Sequence, residues 1–174
     1  MLQNAGNFAR GYYEQNLREV GDETLTMASD LRDYLNQSRV SSPEFAEGYI
    51  YQVVTRKLNR SAIIEIGPDG IARTAATVDP DRRPVAQLLT RDIVKRLTRG
   101  EGVVVSAEPD QIQAFTLMYP DRQIYLYATR DSDAPAFSQV KRAQAVLANY
   151  ESFARQSRAL QIRFNSALFI GSLA

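Results

Sequence analysis

Two tyrosines two positions apart carry the most suggestive binding chemistry in this chain. Tyr125 and Tyr127 fall within residues 123–130, where alternation predicts a strand with both rings on one face. A hairpin with the preceding strand would add Thr116 and Thr129 to that face as polar supports. Such a face predicts a ligand-binding surface. The simpler interpretation is a half-exposed sheet face, because tyrosine is a good strand former.

Arginines near this face could supply positive charge to an anionic ligand. Arg73 lies in another predicted strand, and Arg91 lies on a predicted helix with Lys95 and Arg96. The bases of that helix form either a lid over an anionic ligand or simply a solvated helix face. The predicted ligand-binding set is Tyr125, Tyr127, Thr116, Thr129, Arg73 and Arg91.

The residue types that are missing exclude several kinds of chemistry. The 174-residue chain has no cysteine and no histidine, which rules out disulfides, Cys-based metal sites, a Ser-His-Asp triad and a phosphohistidine within it. Asp79 and Asp81 lie in a proline-marked loop, where such carboxylates usually serve as turn residues. The net charge of +1 creates no global attraction to nucleic acid or membrane surfaces. We therefore predict no catalytic residue, no metal site and no cofactor.

A sheet must position the binding residues, and its first hairpin is signalled by a Pro-Asp-Gly turn. Residues 62–66 and 71–78 flank this turn, which suits a three-residue loop with a bulge. In that register Glu65 lies opposite Arg73. The residues then predicted to share one face are Ile64, Ile66, Ala72, Thr74 and Ala76.

Three further strands are predicted over residues 103–107, 111–119 and 123–130. The last two join through a turn in which Pro120 and Asp121 form a two-residue loop. This register pairs Leu117 with Ile124 and Phe115 with Leu126 on a core face. The opposite face then pairs Thr116 with Tyr125, Ala114 with Tyr127, and Ile112 with Thr129.

Helices are predicted before and between these strands. The ranges are about 4–36, about 43–59 with Ser42 as its cap, and about 85–98. The first carries a seam of alternating four- and three-residue spacing, formed by Tyr13, Leu17, Val20, Thr24, Met27, Leu31 and Tyr34. Such a seam indicates either a core-facing helix or a rod that pairs with another subunit.

The end of the chain is predicted to form one long helix over residues 133–174. Its final residues, 164–174, are largely apolar but too few to cross a bilayer, which takes about 20 residues. Two interpretations stay open for this run. It is either a buried helix end or the first half of a membrane span.

This order of elements resembles the PAS-like extracytoplasmic sensor fold called Cache or PDC. YYEQNLR at residues 12–18, DETLTMASDL at residues 22–31 and the exit at residues 150–165 are similar to the sensor region of NtrY-type nitrogen-regulation histidine kinases. The resemblance implies a mixed α/β (α+β) fold, with an antiparallel sheet of about five strands between long N-terminal and C-terminal helices. Its implied parts are a signalling helix (1–37), a sensor core (38–133) and a helix leading into a membrane segment (134–174).

The function that follows is a periplasmic sensor domain of a two-component receptor in the bacterial inner membrane. The resemblance implies a non-enzymatic region that relays a ligand or partner signal through its helices to an ATP-dependent histidine kinase core. It also implies a homodimeric receptor with a possible small-molecule ligand. The charge balance of +1 separately predicts no nucleic-acid partner. The alternative is a ligand-free dimerisation module that relays structural change.

Overall fold

The computed structural model describes residues 2–131, with side chains from residue 11 onward. Ten elements follow one another in this range. They are α1 (Leu2–Gln37), α2 (Pro43–Thr55), β1 (Arg60–Ile66), β2 (Ala72–Val78), a 3-10 turn (Ala86–Leu88), α3 (Arg91–Thr98), β3 (Val103–Ala107), β4 (Gln111–Tyr119), a second 3-10 turn (Pro120–Arg122) and β5 (Ile124–Asp131). The predicted helix over residues 133–174 and its apolar end lie outside the described residues.

One antiparallel sheet of five strands organises the fold, in the order β2-β1-β5-β4-β3. This confirms the predicted mixed α/β class with an antiparallel sheet. The two faces of the sheet are covered differently. One, the α1 face, packs against α1 and α2, and its core includes Met27, Phe45 and Ile63. The other, the α3 face, packs against α3 and the segment before it.

The second half of α1 is a core helix, as one interpretation of its seam predicted. Val20, Thr24, Met27 and Leu31 are completely buried, whereas Tyr13 remains 40% exposed. The Thr24 hydroxyl donates to the Val20 carbonyl at 2.6 Å and is thereby satisfied inside the core.

The capping signal of α2 is confirmed, but the helix ends earlier than predicted. The Ser42 hydroxyl accepts a hydrogen bond from the Phe45 amide at 3.1 Å, and Pro43 occupies the first helical position. The helix stops at Thr55 because Lys57 adopts a left-handed conformation with φ of 60°. The predicted helix over residues 85–98 is likewise shorter, because Thr90 caps a new start and leaves only a 3-10 turn before it.

The first hairpin confirms Glu65 opposite Arg73, with Ile64 opposite Thr74 and Ile66 opposite Ala72. The placement of Ala76 with these isoleucines was wrong. A bulge leaves Ala75 unpaired and moves Ala76 opposite Ile63, on the α1 face. One inserted residue reverses the side-chain alternation beyond it.

The predicted register of the second hairpin was also wrong. Its loop spans residues 120–123, because a 3-10 turn follows Tyr119 and Gln123 adopts a left-handed φ of 50°. The longer loop alone would shift the pairing of the two strands by two residues, but a bulge at Met118 reduces this shift to one. Leu117 therefore pairs with Tyr125, and Phe115 pairs with Tyr127. The predicted pairs with Ile124, Leu126 and the threonines are therefore all displaced by one residue. This shift decides which residues lie on the α3 face together with Tyr125 and Tyr127.

Candidate functional site

The α3 face collects three of the six predicted binding residues. Tyr125 and Tyr127 belong to its core cluster, and strand alternation places Thr129 on the same face. Thr116 lies on the α1 face instead, opposite Val103 and Leu126. Its hydroxyl donates to the Gly102 carbonyl at 2.7 Å, so its polar group already has a local partner.

The two predicted arginines lie away from these tyrosines on the molecular surface. Arg73 pairs with Asp69 at 2.5 Å in the exposed hairpin turn, and this partner lowers the pKa of Asp69 to about 2. Arg91 begins α3 and is exposed. The structure therefore does not bring either arginine together with the buried polar groups of the α3 face.

Tyr125 occupies the apolar part of the α3 face. It lies between Ile64 on β1 and Leu117 on β4, within a cluster that also contains Phe115 and Val104. Its hydroxyl is buried without a hydrogen-bond partner, and burial raises its pKa. This part of the face is filled by side chains.

Tyr127 marks the start of a polar end on the same face. Its ring packs on Phe115 with centroids 5.1 Å apart. Burial raises the pKa of Tyr127, while the Gln111 side chain beside the hydroxyl and the positive charges of Arg60 and Arg83 counteract that rise. The Tyr127 ring thus belongs to the packed aromatic part of the face, and its hydroxyl lies beside a group of charged and amide side chains.

Arg60 is the centre of this polar end. Its side chain is only 10% exposed, and its Nη2 donates to Gln111 Oε1 at 2.8 Å and to Asp131 Oδ1 at 3.0 Å. Asp131 is also held through its backbone amide, which donates to Asn59 Oδ1 at 2.8 Å. A buried arginine requires such partners, because an uncompensated charge in the interior is strongly destabilising.

Thr129 supplies an unused polar group next to Arg60. It pairs directly with Arg60 on β1 and with Gln113 on β4, forming one row across three strands. Its hydroxyl is buried without a hydrogen-bond partner. Arg60, Gln111, Gln113, Thr129 and Asp131, with the Tyr127 hydroxyl, are called the Arg60 cluster below.

The loop after β2 is built on Asp79. This carboxylate is 2% exposed and accepts from the backbone amides of Asp81 and Arg83, both at 2.9 Å. It therefore acts as the turn residue that the sequence favoured. Within the described residues, no group of three or more acidic side chains forms a possible metal site.

Sequence reasoning missed Arg60, Gln111 and Asp131. A signal for Arg60 was present, because alternation back from Ile64 and Ala62 places it on their apolar face. A charged residue in an apolar stripe indicates a partner within the fold. Its partners could not be identified from sequence, because the register that brings β4 and β5 beside it was not predicted correctly.

The chain matches a known protein family along its whole length. The model of the family described as the NtrY N-terminal region matches residues 1–174. The chain belongs to this family. No curated protein shows significant similarity to this chain. Family membership supports a sensor region of an NtrY-type receptor kinase, in agreement with the resemblance derived from the sequence.

The described helices of this NtrY N-terminal region include no segment with both the length and the apolar content that a bilayer crossing requires. The long helix α1 carries charged residues along its exposed sides, among them Glu14, Arg18 and Asp22. Its apolar residues are instead concentrated on the side that packs against the sheet.

Proposed function

We propose that this chain is the extracytoplasmic, Cache-type sensor domain of an NtrY-type receptor, and that it detects a small molecule at the Arg60 cluster. The observation that carries this proposal is a buried arginine and an unpartnered threonine hydroxyl side by side on the sheet face opposite α1. A face needed only for packing would be filled more cheaply with apolar side chains. The original binding set is thereby reduced to Tyr127 and Thr129, with Tyr125 as packing support.

The relay in this proposal runs through α1 and the end of β5. α1 packs across β3, β4 and β5, and β5 ends in the Arg60 cluster at Asp131. A ligand that prefers one arrangement of these elements shifts the receptor toward it, by its difference in affinity for the two states. In the intact protein the output is an ATP-dependent histidine kinase, anchored in the inner membrane as a homodimer with this domain in the periplasm.

Substitution of Tyr127 in the intact receptor tests the sensor proposal. Tyr127→Ala should abolish the kinase response to the cognate ligand, and Tyr127→Phe should weaken it about two- to tenfold, the value of one hydrogen bond. Phosphorylation is measured against ligand concentration in membrane vesicles. Tyr51→Phe is the matched control, because Tyr51 is 53% exposed on α2.

An unchanged dose response in both Tyr127 variants would remove this face as the ligand site. Folding of Tyr127→Phe is checked by its urea unfolding midpoint, which separates loss of binding from loss of structure.

A second candidate function is a ligand-free dimerisation module that relays structural change. The observation that favours it is the packed apolar part of the α3 face, where Tyr125 lies among Ile64, Leu117 and Phe115. In that case the kinase should respond to a protein partner or to membrane state, and Tyr127→Phe should leave the response intact.

A further inference from the structure

Two nitrogens of the Arg60 guanidinium make no hydrogen bond to the part of the chain that the structure describes. Both of its hydrogen bonds to side chains leave from Nη2, one to Gln111 and one to Asp131. Among the described residues, no acceptor is bonded to its Nε or Nη1. The Thr129 hydroxyl, in the directly paired position, also lacks a partner although it is completely buried. Donor groups from two adjacent strands therefore lie next to each other on the α3 face.

These donors specify the charge of a ligand. The positively charged N–H groups at Nε and Nη1 and the neighbouring O–H of Thr129 favour an acceptor that carries negative charge. A planar carboxylate or a phosphate group matches the guanidinium best, because two of its oxygens can accept two parallel N–H bonds. Gln113 pairs with Thr129 in the same row, so its side-chain amide is a further candidate donor.

An anion bound in this way would compete with the existing hydrogen bonds of Arg60 Nη2. Each bidentate fork of a guanidinium, whether Nε with Nη2 or Nη1 with Nη2, uses one of the two Nη2 protons. Both protons are already donated, one to Gln111 and one to Asp131. Of these two partners, Asp131 carries a negative charge that a bound anion repels, and its side chain is 26% exposed. The anion therefore displaces Asp131.

We propose that Arg60 and Thr129 form a site for a small oxyanion, and that its occupancy breaks the bond between Arg60 and the Asp131 carboxylate and loosens the end of β5. This inference rests on the proposed sensor function and names the chemistry and the coupling of that site. The released carboxylate belongs to the last residue of β5, so the ligand acts where the strand ends. The backbone of Asp131 remains paired with Gln111 in the sheet, and its amide still donates to Asn59.

The test uses the intact receptor in lipid nanodiscs, titrated with sodium acetate, sodium phosphate or sodium chloride at constant ionic strength. Hydrogen exchange of peptides covering residues 124–131 is the readout. Acetate or phosphate should accelerate exchange saturably, and the arm that responds identifies the oxyanion as carboxylate or phosphate. An equal response to chloride, or no response in any arm, would overturn the proposal.

Two variants test the two parts of the mechanism separately. Arg60→Lys keeps the charge but removes the fork, and should weaken binding by about tenfold or more. Asp131→Asn removes the competing charge and should tighten binding by roughly tenfold, equivalent to about 1.4 kcal/mol. Arg73→Lys and Asp69→Asn form the matched control, because this exposed arginine–aspartate pair lies in the β1–β2 turn. Equal midpoints in all variants would mean an adventitious ion and would overturn the site.

Kinase phosphorylation in the same samples separates this inference from the sensor proposal. Anion binding through Arg60 without any change in phosphorylation would retain the site and reject the sensor function assigned to it. A kinase response to another ligand, with no effect of either oxyanion at residues 124–131, would retain the sensor function and overturn this inference.

Discussion

Two buried tyrosine hydroxyls of this domain have opposite environments. Tyr49 is fully buried and its hydroxyl lies 2.7 Å from the Ser61 hydroxyl, whereas the buried Tyr125 hydroxyl has no partner. A buried hydroxyl without a hydrogen bond costs about 1–3 kcal/mol relative to a satisfied one. The core of the α3 face thus contains an unsatisfied tyrosine hydroxyl at Tyr125, and the core of the α1 face contains a satisfied one at Tyr49.

Removing each hydroxyl should therefore have opposite effects on the free energy of unfolding. Tyr125→Phe should be neutral or stabilising by about 1 kcal/mol, because it deletes an unsatisfied group. Tyr49→Phe should destabilise by about 1 kcal/mol, because it deletes a formed bond. Urea unfolding of the 174-residue chain measures both. A clear destabilisation by Tyr125→Phe would mean that its hydroxyl has a hydrogen-bond partner, and would contradict its unpartnered burial among apolar side chains.

The contact between α1 and β3 depends on a glycine at the element scale. A Cβ built on Gly21 would lie 3.0 Å from a methyl group of Val105 and 3.4 Å from one of Val103. Gly11, in the same helix, has no atom of the described residues within 4 Å of that position. Helix propensity favours alanine at both sites, so only packing distinguishes them.

Gly11→Ala should stabilise the chain by about 0.5–1 kcal/mol through helix propensity. Gly21→Ala should instead destabilise it by about 1 kcal/mol, because forcing an extra methyl into a packed contact costs about 1–3 kcal/mol and exceeds the propensity gain. Urea midpoints of the two variants, compared with the parent chain, measure the difference. Equal stabilisation by both substitutions would show that α1 can move away from β3 at little cost.

At the scale of the whole molecule, Arg130 joins α1, α2 and β5. Its guanidinium pairs with Glu19 of α1 at 3.1 Å and donates to the carbonyls of Arg56 and Lys57 after α2, at 2.8 and 3.0 Å. Arg56 in turn pairs with Glu23 at 2.7 Å. The residue before Asp131 is thus anchored on the α1 face, while Asp131 itself is anchored on the α3 face.

The parts of this anchor should contribute unequally to stability. Glu19→Gln should cost less than about 1 kcal/mol, because Glu19 is 45% exposed and its charge is screened. Arg130→Met should cost about 2–4 kcal/mol, because it leaves two backbone carbonyls without their donor. Urea unfolding at low and high salt measures both, and only the Glu19→Gln effect should shrink with salt. Equal costs would mean that the ion pair, rather than the carbonyl bonds, holds the anchor.

Features that depend on neighbours along the chain were predictable from the amino-acid sequence. The cap of α2 at Ser42, the pairing of Glu65 with Arg73 and the presence of five strands follow from local turn chemistry and alternation, and the structure confirms them. The family resemblance also followed from residue patterns along α1 and from the order of elements, and family membership confirms its NtrY part.

The composition of the binding face was decided only by the tertiary structure. The bulge at Met118 and the left-handed Gln123 shift β4 by one residue against β5, and a one-residue shift moves every side chain of a strand to the other face. This is why Thr116 leaves the tyrosine face. Arg60 gains Gln111 and Asp131 as partners because β1 and β4 begin where β5 ends. Alternation along a strand is a local property, whereas register depends on the energy of the whole assembled sheet.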